Sequence, residues 1–230
     1  MDVVKDETGN TSAVEIVRQA QRAGLDSHPF FTTLEERGDL GAVWALMANS
    51  EIALVRPLIR RLVDTTARVT RDDLRSLLAS QLNDELGQGD YSRAHSPMFP
   101  KAVQALSIAK PANADDSWLK PGEVLCTAID EVCRAPNPHA GLGAYIVLEV
   151  YSQQASTAVA KVVKKANLPL KEFKFVTLHE VVDLTHIDEC VKMAEFVTEP
   201  ADRAAAWRAA ENVSIACMAL LASLRGLCFS

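Results

Sequence analysis

His179, Asp183 and His186 stand close together in the segment Phe175-Val-Thr-Leu-His-Glu-Val-Val-Asp-Leu-Thr-His-Ile-Asp-Glu-Cys190 of a 230-residue chain. At about 100° per residue these positions fall within roughly 60° of one another on a helix, so two imidazoles and a carboxylate point the same way. Phe175, Val176, Val182, Cys190 and Met193 share that stripe, which is otherwise apolar. A carboxylate turned into an apolar core needs a neutralising partner, and a bound cation supplies one most directly. The triplet reads as a set of metal ligands, although a self-paired polar cluster in the core would produce the same three residues.

Two further carboxylates and one further imidazole lie in comparable settings. Leu74, Leu78 and Leu82 define the buried face of a helix that also turns Glu85 inward. His95 follows ten residues later, beyond Gly87 and Gly89. On a continuous helix that spacing would leave the two side chains roughly 80° apart, so the glycines matter as a break that turns His95 back toward Glu85. Glu149 shares a face with Leu142, Tyr145 and Ile146, and Gln153 follows it one turn later. Alone, Glu85 or Glu149 would read as a paired core carboxylate and His95 as a helix-start contact. Together the six residues form a mixed Glu, Asp and His set projecting into a helical core, the pattern that holds a carboxylate-bridged pair of metal ions. With imidazole and carboxylate but no thiolate in the set, iron or manganese suits it better than structural zinc.

The elements that must position these groups are helices, because nearly every segment carries the 3.6-residue period. The pattern predicts a loose tail over residues 1–11, then one domain over 12–230. Its helices run from Thr11 or Ser12 to Ala23, over about 28–37, over 40–69 with Pro57 kinking or dividing it, and from a Thr70 cap to about Gly87. A short helix begins near His95 with Pro97 in its first turn, followed by helices over roughly 118–134, 140–165, 171–198 and 201–226. That makes an all-α bundle of seven or eight helices.

Composition narrows the function classes. The chain is 48% hydrophobic and 23% charged, with a formal charge of −6, and no basic patch of the kind nucleic-acid binding requires. Its densest basic stretch, Lys161 to Lys165, reads as the solvated C-terminal end of a helix. The five cysteines show no Cys-x2-Cys pair, which fits buried thiols in a reducing cytoplasm. The polar, acidic start lacks the features of a signal peptide, and no long uninterrupted apolar run predicts a membrane span.

Glu85-Leu-Gly-Gln-Gly with His95, then Glu149, then His179-x3-Asp183-x2-His186 resembles the heme-oxygenase-like di-iron oxidase and oxygenase family, which shares its fold with thiaminase-like and pyrroloquinoline-quinone-synthase-like proteins. The resemblance covers roughly residues 12–226 and matches all six ligand positions. It implies that Glu85 bridges two metals, with His95 and His186 completing one site, Glu149 and His179 the other, and Asp183 between them. It further implies two Fe(II) ions (or manganese), O2 and an external reductant, attack on a C–H, C–C or N–H bond of a small carboxylate or amino-acid substrate, and a homodimer. In this family the helix carrying the last three ligands often orders only with metal, and Val176, Val181, Val182 and Thr185 lower helix propensity there.

Two alternatives lead elsewhere: a metal-free enzyme of the same fold, either a thiaminase-like hydrolase using a cysteine such as Cys190 or Cys217 or a quinone-cofactor-synthase-like oxidase, and a non-catalytic metal-binding bundle. Arg56, Arg60, Arg61, Arg203 and Arg208 could clamp a substrate carboxylate, although each reads more readily as a surface or helix-pairing arginine. Ser152, Gln153, Ser156, Thr157 and Thr185 favour an amino acid over a long greasy substrate.

Overall fold

The computed structural model describes residues 28–229 and, ahead of them, Glu15. The expected tail and first helix therefore lie outside the described residues. Helix α1 (Pro29–Arg37) begins at His28, whose ring accepts from Phe30 N, and ends at Gly38 in the left-handed conformation. A rod over Leu40–Arg68 follows as α2 (Leu40–Ser50), a π-helical segment (Glu51–Val55) and α3 (Arg56–Arg68). Then come α4 (Asp72–Glu85), α5 (Phe99–Ala105), α6 (Lys120–Cys133), α7 (His139–Lys165), α8 (Lys174–Glu195) and α9 (Pro200–Phe229). Counting the rod as one, the described residues form eight helices and no strand.

Where Pro57 predicts a kink, the chain widens into a π turn just ahead of it. Proline has no N–H to give, so a carbonyl one turn back loses its partner. Arg61 Nη1 donates to the carbonyl of Ala53 at 2.7 Å, while its Nε reaches Asp130 Oδ1 at 2.7 Å and its Nη2 the Cys126 carbonyl at 2.9 Å. Arg61 is thus a buried fastener between the rod and α6, not a substrate clamp. A second difference lies at α4, whose N-cap is Arg71 in extended backbone; Thr70 stands one residue too early.

Helix α7 is the axle, packed against α9, α8, α6, α3 and α1. Small residues let its neighbours approach. A Cβ on Gly143 would lie 2.0 Å from the Ala206 carbonyl oxygen of α9, and one on Gly141 would lie 2.4 Å from Thr65 Oγ1 of α3. Opposite, Asn49 joins α2 to α6, donating to the Ala45 and Trp118 carbonyls and accepting from Gly122 N. The rod and α9 are each long and apolar enough to cross a membrane, contrary to the sequence reading, but both are packed into this bundle.

The α7–α9 crossing has no room for a methyl group on Gly143, so Gly143→Ala must push two long helices apart. The expected result is a loss of about 3 kcal/mol, at the upper end of overpacking penalties. It is measurable as a lower urea midpoint with little change in m-value.

Candidate metal centre

Three helices and one turn converge on the six candidate ligands. Glu85 is the last residue of α4, Glu149 lies in α7, and His179, Asp183 and His186 lie on α8. His95 arrives through a tight return. Gly87, Gln88 and Gly89 have φ of 79°, 55° and 87°, and His95 N donates to the Glu85 carbonyl at 3.1 Å. A Cβ on Gly87 would meet the Asp90 carbonyl oxygen at 2.3 Å and Ala94 N at 2.5 Å, so this position requires glycine for space as well as for dihedral angle.

All six side chains are buried, at 0–6% exposure. Glu85, His95 and His179 offer ligand atoms within 4.8 Å of one another, and so do Glu85, Glu149 and His186. Glu85 belongs to both triads. Its Oε1 lies 3.1 Å from His95 Nδ1 and 4.0 Å from His179 Nε2, while His186 Nδ1 lies 3.1 Å from Glu149 Oε2. Asp183 Oδ1 stands 4.0 Å from His179 Nε2 and 3.8 Å from His186 Nδ1.

This grouping corrects the pairing that the resemblance implied. His95 goes with His179, not His186, and Glu149 goes with His186, not His179. The reason is axial distance. Seven residues separate His179 from His186, about 10 Å along the helix. The returning turn leads into α5, whose Phe99 packs edge-on against Phe175 at 4.6 Å, so His95 meets the His179 end of α8.

The surroundings orient these ligands. His179 Nδ1 lies 2.8 Å from the Phe175 carbonyl, which leaves Nε2 free to face Glu85, and the Phe175 ring stacks on the imidazole at 3.8 Å. Gln81, one turn before Glu85, donates to the His186 carbonyl at 3.3 Å and ties α4 to α8. The role of Phe175 was missed in the sequence because a stacking ring looks the same there as any core aromatic. The one-turn spacing of Gln81 to Glu85 was a usable signal. Helix α8 runs unbroken over Lys174–Glu195, so the three ligands it carries share one continuous helical face.

Charge in this interior is poorly balanced by the protein alone. Both Asp183 oxygens and His186 Nε2 are buried without a hydrogen bond of ordinary geometry. Burial, then the charge of Glu149, raises Asp183 to about 9, with Ser152 and His186 offsetting part of the shift. Burial opposes a charged His186, but the hydrogen bond and charge of Glu149 prevail and raise it to about 9. Burial, reinforced by His95, lowers His179 to about 3. Orphaned carboxylate oxygens and a ring nitrogen beside two carboxylates fit a pair of divalent cations, which would replace the protons held there.

A cavity of about 750 Å³, its mouth included, reaches Glu85, Glu149 and His179. None of the five candidate arginines lines it. Arg56 pairs with Glu51, Arg60 faces Asp130, Arg61 is the fastener, Arg203 donates to the Val197 carbonyl, and Arg208 borders a separate surface groove. Of the polar residues that favoured an amino acid, Ser152 and Ser156 line the cavity, whereas Gln153, Thr157 and Thr185 do not.

Two measurements follow from this geometry. Between pH 6.5 and 9 the native metal-free chain retains protons on Asp183 and His186 that the unfolded chain has released, so its stability should fall as pH rises through this window. The thermal midpoint of metal-free protein should drop across that range, while Mn(II)-loaded protein, whose ligands have already lost those protons, should stay level. Gly87→Ala should weaken metal binding at least tenfold, read by anaerobic titration, because it displaces His95. Unchanged affinity would remove the return turn from the site.

Residues 55–216, more than half of the chain, match the family described as "iron-containing redox enzyme". No curated protein matches the chain. Solved structures share its fold. A CADD-like protein of unknown function from Nostoc punctiforme PCC 73102 superposes with a TM-score of 0.73 at 12% identity, over 94% of this chain and 98% of that one. A domain of unknown function with a heme oxygenase-like fold, from Shewanella denitrificans OS217, gives 0.67 at 15% identity, over 93% and 90%. With its all-α heme oxygenase-like fold and its buried carboxylate and imidazole cluster, the chain belongs to the iron-containing redox enzyme family.

Proposed function

We propose that this protein is a non-heme di-iron oxidase or oxygenase that uses O2 and an external reductant to oxidise a small molecule. The observation that carries the reading is Glu85, one carboxylate common to two ligand triads. Glu85, His95 and His179 would hold one ion; Glu85, Glu149 and His186 would hold the other, with Asp183 between. When bound, a ferrous pair supplies the electrons and open coordination positions that activate dioxygen. Manganese would fit the same donors.

The chain's own residues do the rest. The Phe175 carbonyl and ring fix the His179 tautomer and plane. Glu85, Glu149 and Asp183 would supply hard carboxylate oxygens to the ions and His95, His179 and His186 imidazole nitrogens. Tyr145, one turn before Glu149, is held neutral: burial first, then the charge of Glu149, raises its phenol well above the ordinary range. Apolar walls keep bulk water from the reacting end of the cavity.

A metal-free cysteine mechanism has little support. Burial pushes the Cys190 thiol well above its usual range, with the charge of Glu149 adding to the effect, and burial raises Cys217 to about 12. Neither is a ready thiolate nucleophile. All five cysteines are free, which suits a reducing cytoplasm.

Anaerobic titration with ferrous iron should reach two ions per chain, and an oxygen pulse should then give metal-dependent oxygen consumption. His186→Ala should lower the stoichiometry to one and abolish that consumption while leaving the helical circular dichroism intact. Full oxygen consumption by this variant would falsify the di-metal reading.

A further inference from the structure

The cavity that meets Glu85, Glu149 and His179 has a chemistry of its own. One wall is the rod, which contributes Leu46, Met47, Leu54, Val55, Leu58 and Ile59. Leu54 and Val55 belong to the π segment, so the widened turn is itself part of the wall. The facing wall adds Leu148, Ala155 and Phe175, from α7 and α8. Apart from the candidate ligands, every polar side chain among the described lining residues is a hydroxyl: Ser50, Ser96, Tyr151, Ser152 and Ser156. Ser50 and Tyr151 are joined only by a long 3.4 Å contact, leaving hydrogen-bonding capacity for a ligand. Among the described residues no lysine or arginine lines the cavity, so an ionised group bound away from the ligand cluster would be desolvated without a counter-charge from them.

We propose that the substrate carries an aliphatic body and, away from the reacting end, a neutral hydrogen-bonding group such as a hydroxyl or primary amide, received by the Ser50–Tyr151 pair. This rests on the oxidase reading for which end reacts, but the recognition is a property of the walls. The apolar wall runs from Leu46 to Ile59, about 20 Å along the rod at about 1.5 Å per residue, so the body can be several carbons long.

The test measures binding separately from turnover. Calorimetry on full-length protein, metal-free and Mn(II)-loaded, would use three series of equal chain length: 1-alkanols with primary alkyl amides, alkyl carboxylates, and unbranched α-amino acids. The neutral series should bind tightest, with affinity rising about three- to fourfold per methylene until the cavity fills. Leu54→Gln should weaken the neutral series about tenfold without changing metal stoichiometry. Leu58→Phe, which fills the void, should penalise the longest chains most, and it tests the walls independently should Leu54→Gln fold poorly. Tighter binding of the amino acids or carboxylates, absence of a chain-length trend, or no binding by any series would overturn the inference. Two irons per chain with amino acids preferred would defeat this inference alone. Alkanol binding without iron binding would defeat the oxidase reading alone.

Discussion

Desolvation of six ionisable side chains in one interior is the constraint around which this bundle is organised. Carboxylates and imidazoles at 0–6% exposure cannot all keep their solution charges. Without metal, the protein resolves the conflict by redistributing protons: His179 is held neutral, whereas Asp183 and His186 keep theirs into the alkaline range. Neighbouring residues serve the same constraint. The carbonyl of Phe175 takes one ring nitrogen of His179, Gln81 ties the backbone of His186 to α4, and the return turn brings His95 to Glu85.

A protonated Asp183 beside Glu149 is a place prepared for positive charge. Two protons there do poorly what two divalent ions would do well, because each ion can meet several oxygens and nitrogens at once while a proton serves one. A family of iron-containing redox enzymes built on this fold is therefore consistent with the electrostatics of the chain as well as with its sequence.

Much of this was legible before the fold was known, and for identifiable reasons. Helical period placed His179, Asp183 and His186 on one face, and the glycines after Glu85 announced the return of His95. What periodicity cannot supply is which faces meet. The family resemblance implied His95 with His186, but two helical turns of separation gave His95 to His179 instead. Arg61 took the helix-pairing role rather than the clamp, and its partners were not legible for a similar reason: its burial depends on a carbonyl freed by Pro57 and an aspartate on α6, 8 and 69 residues away. The apolar character of the cavity was hidden too, because Ser152 and Ser156 line it while the neighbouring Gln153 and Thr157 bond to each other.

The π segment at Glu51–Val55 has a meaning beyond the space it opens. A π turn holds one residue more than the α-helical turn it replaces, so it acts as a phase insertion of about 100° in the facing of everything downstream. Upstream, the rod turns Asn49 to α6; downstream, Arg61, Leu62 and Thr65 are turned into the bundle. Both halves face inward only because the extra residue is there. Chain length between Ser50 and Pro57 is thus a counted quantity, and a relative one residue shorter in this stretch would need a different fastener as well as a different cavity wall.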